Sequence, residues 1–427
     1  MKIKDHIGKI TWSFSDKVMM VLFGLFTLFQ LKYLDPSEYA FYAALLNINN
    51  WILMATDGFA LQGLIQYGHK NKEEVNKLAL GTSLIFSLVL AIVFFLFRDI
   101  LAEMADSESY KLSLAYLPLS VLLTIPKNYV TKIFYRELKF DSVFYLNLVF
   151  FGSQVLATIY YIINFNALNF EYMLDIYIFG SGISAIAAVL MSYKYLKFSS
   201  LKELSIKKYL SFGLTVSQQS ILHSIPKVYD LFIVSHFFGP SGAGVYQSAK
   251  TLYRTFDEAS SAAHGLIYPA AVKLIAFKDK TQLVSMLSKA ISMMLLLFVF
   301  LIIILNLGLT DYIINAFALT KYLGAINIFN LLILSGIFLP FVLITPVLNA
   351  MEKHKVVLKF VFISVIISLV IFIFIGMNFS LEYMAFGLIS YNMVLGILSF
   401  IYLRKEIDFP ISILFRSISD IKNFIKK

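Results

Sequence analysis

Long apolar runs separated by short polar connectors dominate the chain. Windows long enough to cross a bilayer as helices fall near 12–33, 39–63, 78–97, 112–130, 142–163, 173–196, 209–238, 244–272, 286–308, 322–350, 356–375 and 383–403, because roughly 20 apolar residues span the hydrocarbon core. Twelve membrane helices are therefore predicted. The seventh, eighth and tenth windows are longer than one crossing requires, which predicts tilt, kinking or extension past the bilayer, with Pro226, Pro269, Pro340 and Pro346 as kink sites.

One window departs from the apolar pattern along its whole length. Tyr246, Lys250, Arg254, Asp257, Ser261 and His264 recur at spacings that place them within an arc of roughly 80° on a helix. They extend over about 27 Å at helical rise. Charged groups facing acyl chains are costly, so a polar stripe of nearly bilayer length predicts a water-filled cavity through which a polar solute passes. A transporter is the expectation that follows.

Composition supports the membrane assignment: 59% hydrophobic residues against 15% charged ones excludes an ordinary soluble domain. The net charge of +10 does not point to nucleic acid, since the basic residues are spread through connectors and no basic domain exists to hold a duplex. They cluster in the N-terminus, in alternate connectors and in the C-terminal tail, whereas the opposite connectors carry Asp35, Glu38, Asp99, Glu103, Asp106, Glu108, Glu171, Asp175, Asp311 and Glu382. The positive-inside bias places both termini in the cytoplasm. The first apolar run holds Asp16 and Lys17 and lacks a clear cleavage site, so it is read as a retained span. From about 405 the chain becomes an amphipathic tail, with Ile411, Leu414, Phe415 and Ile418 at helical spacing, expected on the cytoplasmic leaflet. No cysteine is present, and His223, His236 and His264 form no metal-ligand motif. Outward connectors are short and no P-loop, dinucleotide fingerprint or catalytic triad is found, so no enzyme, cofactor or metal is expected.

The two halves share a motif. Pro36-Ser37-Glu38-Tyr39-Ala40-Phe41-Tyr42 follows the first window, and Pro240-Ser241-Gly242-Ala243-Gly244-Val245-Tyr246 follows the seventh. Parallel repeats related by an axis along the membrane normal are therefore expected: a six-helix lobe over 1–203, with a cytoplasmic linker from about 197, and a second over 204–427.

The segments Phe212-Gly213-Leu214-Thr215-Val216, Asp230-Leu231-Phe232-Ile233-Val234, Phe237-Phe238-Gly239-Pro240, Gly244-Val245-Tyr246-Gln247-Ser248-Ala249 and Tyr268-Pro269 resemble the start of the second half of Wzx-type polysaccharide flippases. Tyr33-Leu34-Asp35-Pro36-Ser37-Glu38-Tyr39 and Asp57-Gly58-Phe59 agree in the first half. These flippases belong to the multidrug, oligosaccharidyl-lipid and polysaccharide exporter superfamily. The resemblance implies an all-α, MATE-like membrane protein with two six-helix lobes around a central cavity. It further implies movement of an undecaprenyl-pyrophosphate-linked oligosaccharide, as for O-antigen of lipopolysaccharide, with a polysaccharide polymerase and a chain-length regulator as partners. Family members often follow the Asp230 position with an arginine; Leu231 stands there in this chain, so no cation carries over.

The candidate site residues follow from charge. A pyrophosphate needs compensating cations, and Lys227, Lys250 and Arg254 are the candidates, Arg254 offering a bidentate fork. The alternative is that these bases only pair with nearby acids. Asp57, Asp230, Asp257 and Glu258 are candidates for coupling to H⁺ or Na⁺ if unpaired in a low-dielectric cavity, and structural partners otherwise. Asn47, Asn50, His223, Tyr246, Ser261 and His264 are assigned to sugar contact or cavity lining, with interhelical packing as the alternative for Asn50. Lys17, Lys127 and Asp16 complete the set of intramembrane charges. A cation-coupled multidrug exporter and a membrane-embedded polysaccharide polymerase or ligase are the rival functions. The cationic stripe argues against the first and the short outward connectors against the second.

Overall fold

Every regular element is helical among the residues that the computed structural model describes, namely 3–68, 72–105, 107–200, 205–277, 279–317, 320–407 and 409. The chain opens with α1 (Ile3–Leu31), α2 (Pro36–Thr56), α3 (Lys72–Leu96), α4 (Leu117–Arg136), α5 (Phe140–Phe165) and α6 (Phe170–Ser192). It continues with α7 (Ile206–Ser224), α8 (Pro226–Ala276), α9 (Lys280–Ile304), α10 (Ala325–Leu332), α11 (His354–Asn378) and α12 (Ala385–Glu406), joined by shorter helices and turns. The expected tail beyond 409 and linker residues 201–204 lie outside the described residues.

Six helical stretches are long and apolar enough to cross a membrane by themselves: α3, α5, α6, α9 continuing to Ala316, α11, and Leu381–Glu406. A seventh results if Ala325–Ile337 and Leu339–Ala350, bent by 45°, form one span. The protein is therefore a multi-pass membrane protein. Helices α1, α2, α4, α7 and α8 carry the polar side chains, among them Asp16, Asn49, Lys127 and the charges of α8, so apolarity alone does not bring the count to the expected twelve.

Proline and glycine break the long windows as backbone chemistry requires. The expected 209–238 helix ends at Ser224, and Pro226 starts a new one, since a proline ring occupies the first helical turn without loss of an N–H bond. Within α8, Gly239 has φ 72° and ψ 172°, a conformation that only glycine adopts cheaply. The chain reverses there in place of the expected loop around Ser241. The 322–350 window is broken by a tight turn at Ile333–Ile337, short helices following around Pro340 and Pro346. Pro269, expected as a kink site, lies inside α8, which runs on to Ala276.

Two compact units are formed, Met1–Gln247 and Ser248–Lys427. In the first, α7 and the start of α8 pack on the earlier helices without room for side chains. A Cβ on Gly213 would collide with the carbonyl oxygen of Phe59, and one on Gly244 with that of Pro36. The core of this unit gathers Leu61, Leu64, Tyr129, Ile133, Phe134 and Tyr209, and the buried Tyr209 hydroxyl donates to the carbonyl oxygen of Ala60. At one end, buried Arg136 donates to Asn76 over 2.8 Å and pairs with Glu137 at 3.0 Å, which satisfies a charge that would be costly alone. In the second unit, the ring of Phe372 on α11 fills the space left by Gly387 on α12, and Ser368 donates to the Gly387 carbonyl oxygen over 2.6 Å.

Candidate functional site

In the first unit, the most telling local feature lies where α2 loosens into a π-helical turn at Asp57–Leu61 before resuming as Gln62–Tyr67. Such turns carry one surplus residue and tend to mark functional positions. Asp57 opens it. Its carboxylate is 2.9 Å from Lys132 Nζ on α4 and accepts a 2.8 Å hydrogen bond from Gln62 Nε2. A coupling acid was expected to be unpaired in its resting form, and this one has a base. Lys132 was counted with the cytoplasmic connector in the sequence; helix α4, which continues to Arg136, brings it to Asp57.

Asp230 is fully buried. Its Oδ1 accepts from the Leu231 N–H over 2.7 Å, and its Oδ2 accepts from the Tyr246 hydroxyl over 3.2 Å. These residues are 16 apart, which would be about 24 Å along a straight helix; the reversal at Gly239 closes that distance. Tyr246 is itself fully buried. The expectation that it offers a ring face to a sugar is therefore corrected: it is the partner of Asp230. Asn47 donates to Gln247 Oε1 over 3.4 Å, a long bond, while Asn50 on the same helix is exposed. His223 ends α7 and Lys227 begins α8, both half-buried. Between them Ile225 keeps helical dihedrals, φ −53° and ψ −47°.

A third cluster went unassigned in the sequence. Asp16 on α1 is buried and accepts from Asn147 Nδ2 on α5 over 2.7 Å, and Lys127 Nζ stands 4.2 Å from the ring centre of Phe150. The available signal was charge within an apolar window. What the sequence lacked was a partner, since Asn147 and Phe150 come from a distant segment.

The second unit holds the rest of the polar stripe. On α8, Ala249, Tyr253, Phe256 and Ser260 are buried, and Tyr253 stacks on Phe256 at 5.7 Å. Lys250, Arg254, Asp257 and Ser261 follow these positions by one residue, about 100° round the helix. Lys250 and Asp257 are half-buried, while Arg254 and Ser261 are exposed. Arg254 Nε lies 3.5 Å from Glu258 Oε1, the arginine side chain being 60% exposed. His264 Nε2 is 3.4 Å from the Val342 carbonyl oxygen. The helix thus separates a packing face from a less buried face carrying cations, an arrangement that can bind an anion without unfolding.

A family model described as polysaccharide biosynthesis protein matches residues 32–327. No curated protein matches the chain. Among solved structures, an inward-facing multidrug resistance MATE family transporter of the MOP superfamily is similar at TM-score 0.74 and 16% identity, covering 90% of this chain and 94% of that one. An outward-facing MATE family transporter gives TM-score 0.62 at 13% identity, covering 94% and 95%. A MOP superfamily transporter from Pyrococcus furiosus, described as having reversed polarity in its binding pocket, gives 0.61 at 13% identity, covering 94% and 95%. At these identities the likeness establishes the MATE fold.

Proposed function

The chain belongs to the polysaccharide biosynthesis protein family, and from that premise we propose that it is a flippase. It moves an undecaprenyl-pyrophosphate-linked oligosaccharide from the cytoplasmic to the outer leaflet of a bacterial inner membrane by ion-coupled alternating access. It does no covalent chemistry. The topology of this reading is twelve spans in two six-helix lobes, with both termini cytoplasmic. The observation that carries it is the cation-bearing face of α8, with Lys250 half-buried and Arg254 exposed on a helix packed by Tyr253 and Phe256. A lipid-linked sugar has a head that cannot cross hydrocarbon, an anionic linkage and a tail that stays in lipid. Cations on a helix face meet the second requirement. A small-molecule exporter of the same fold would not need them.

Lys227, Lys250 and Arg254 are assigned to the pyrophosphate. Asn47, Asn50, His223, Ser261 and His264 are assigned to the sugars or the cavity wall. Of the acids, Asp57 is the leading candidate for coupling to H⁺ or Na⁺, because its partner Lys132 stands on another helix and the pair at 2.9 Å is open to competition by an ion. Asp230 already has the Tyr246 hydroxyl and its own backbone. Asp257 and Glu258 stand beside the cations. A polysaccharide polymerase and a chain-length regulator are the partners in this scheme.

The test is reconstitution. Proteoliposomes carrying a pyrophosphate-linked glycolipid on one leaflet should show it on the other, faster than protein-free vesicles and responsive to a pH or Na⁺ gradient. A rate equal to that of protein-free vesicles refutes the reading.

Orientation has its own check. With no native cysteine in the chain, Ser107→Cys and Ser241→Cys are expected to react with an impermeant maleimide in intact cells, and Lys353→Cys only after the membrane is opened. The reverse pattern overturns the topology.

A further inference from the structure

We propose that the outward end of the second unit carries a separate glycan-binding site, which receives a hydroxyl-rich sugar of the transported head group once it has reached the outer leaflet. The outward assignment and the identification of the ligand with the transported glycan rest on the flippase reading above. The site itself is a cavity of about 550 Å³, within the roughly 300–1,000 Å³ typical of small-molecule sites.

Three local features build it. Helix α9 loosens into a π-helical turn, Leu305–Leu309, in which Gly308 has φ 111°, and this brings Asn306 to the cavity wall. Helix α10 contributes Asn327 and Asn330 one helical turn apart. The tight turn Leu381–Met384, which leads into α12, contributes Glu382 and Tyr383. Isoleucine and leucine side chains complete the wall.

The polar groups are matched to hydroxyls rather than to phosphate. Glu382 Oε2 accepts from Asn327 Nδ2 over 3.2 Å, and its Oε1 accepts from Ser380 over 3.4 Å. Both are long contacts from uncharged donors and leave the carboxylate able to accept from a ligand. Asn306 spends an amide hydrogen on the Ile302 carbonyl oxygen at 3.0 Å. Asn330 also lines the cavity; its amide oxygen is buried with no donor among the described residues, a costly state that a turn of the side chain toward a hydroxyl in the cavity would relieve. Among the described residues no lysine, arginine or histidine lines the cavity, so the carboxylate would repel pyrophosphate, and together with three amides it suits paired donors and acceptors, the pattern of vicinal hydroxyls on a pyranose.

Its surroundings suit head-group depth. Tyr383, which lines the cavity, is an exposed tyrosine, with the Phe386 ring stacked on it at 6.3 Å. Tyrosine collects at the membrane interface, and the exposed Tyr383 ring offers a flat apolar face for the C–H face of a sugar. A sugar at that depth has two sources, the transported glycan or a resident glycolipid.

The test uses the full chain in nanodiscs of phosphatidylcholine alone. Methyl glucoside and methyl N-acetylglucosaminide, each at millimolar concentration, are the probes, read by saturation-transfer difference NMR. Transfer onto ring protons is expected, reduced at least fivefold in Asn330→Leu and in Glu382→Gln and retained in Lys250→Gln. Asn327→Leu provides a further variant should either of the first two melt below the parent protein. Absence of transfer from both glycosides, or transfer unchanged in the cavity variants, overturns the site. Adding an undecaprenyl-pyrophosphate-linked oligosaccharide to the disc should suppress the signal; suppression by a diglucosyl diacylglycerol but not by that lipid overturns the transported glycan as the ligand. Flipping is scored separately in proteoliposomes. A parent protein that flips but shows no transfer from either glycoside sinks this site alone, whereas a parent protein that does not flip sinks the flippase reading.

Discussion

Flipping should fall by at least about 100-fold when Lys250 and Arg254 are both replaced by glutamine, because each charge-assisted contact to an anion contributes roughly 1.5–3 kcal/mol and 1.4 kcal/mol is a factor of ten. The measurement is glycolipid appearing in the far leaflet at matched protein levels. Arg254→Lys should retain a measurable fraction, since the charge survives and only the planar fork is lost. The folded protein should tolerate these changes. Arg254 is 60% exposed and 3.5 Å from Glu258, and exposed pairs of this kind are worth about 0–1 kcal/mol. Glu258→Gln should therefore leave both melting temperature and flipping close to the parent values. A double variant that folds and exports at the parental rate would remove the cations from the pyrophosphate site.

The second large effect is expected at Asp57. Asp57→Asn leaves Lys132 without its partner, and breaking a buried pair costs roughly 3–5 kcal/mol. The side chains here are 30% and 19% exposed, so the loss should sit at or below the lower end of that range. Folded yield and flipping should both drop. Adding Lys132→Gln removes the uncompensated charge and should restore the yield, read as melting temperature in detergent. Flipping should not return, because an asparagine holds position 57 permanently neutral and no ion can shift the balance between states. Recovery of flipping in the double variant would make Asp57 a structural partner only.

The class of fold was legible in the apolar windows, whose length follows from bilayer thickness. Helical spacing from Lys250 to His264 was legible too, because α8 is continuous from beyond Gly239 through Ala276. What escaped was set by contacts between distant segments. Lys132 sits in a basic stretch that resembles any cytoplasmic connector, and only the packing of α4 against the π-helical turn makes it the partner of Asp57. Tyr246 has the spacing of a stripe residue, yet the reversal at Gly239 turns it onto Asp230. Positions 240 and 241 carried a turn signal, but the residue that bends the chain is the glycine before them. Asn306, Asn327 and Asn330 are scattered polar residues in apolar windows, with no spacing that could announce a shared cavity.

The loosened turn at Asp57–Leu61 also sets the phase of everything after it. Before it, Asn49 and Ile52 are buried, with Asn49 donating to Tyr177; after it, Ala60 and Leu64 are buried beside Tyr209. One surplus residue lets both stretches present their buried sides at once. Removing one residue from within the turn would take up that surplus, so the helix should regain ordinary winding with Asn49 and Leu64 still in phase. A deletion outside the turn has no such reserve and rotates everything beyond it by about 100°, so this one turn is where the second helix can change its length.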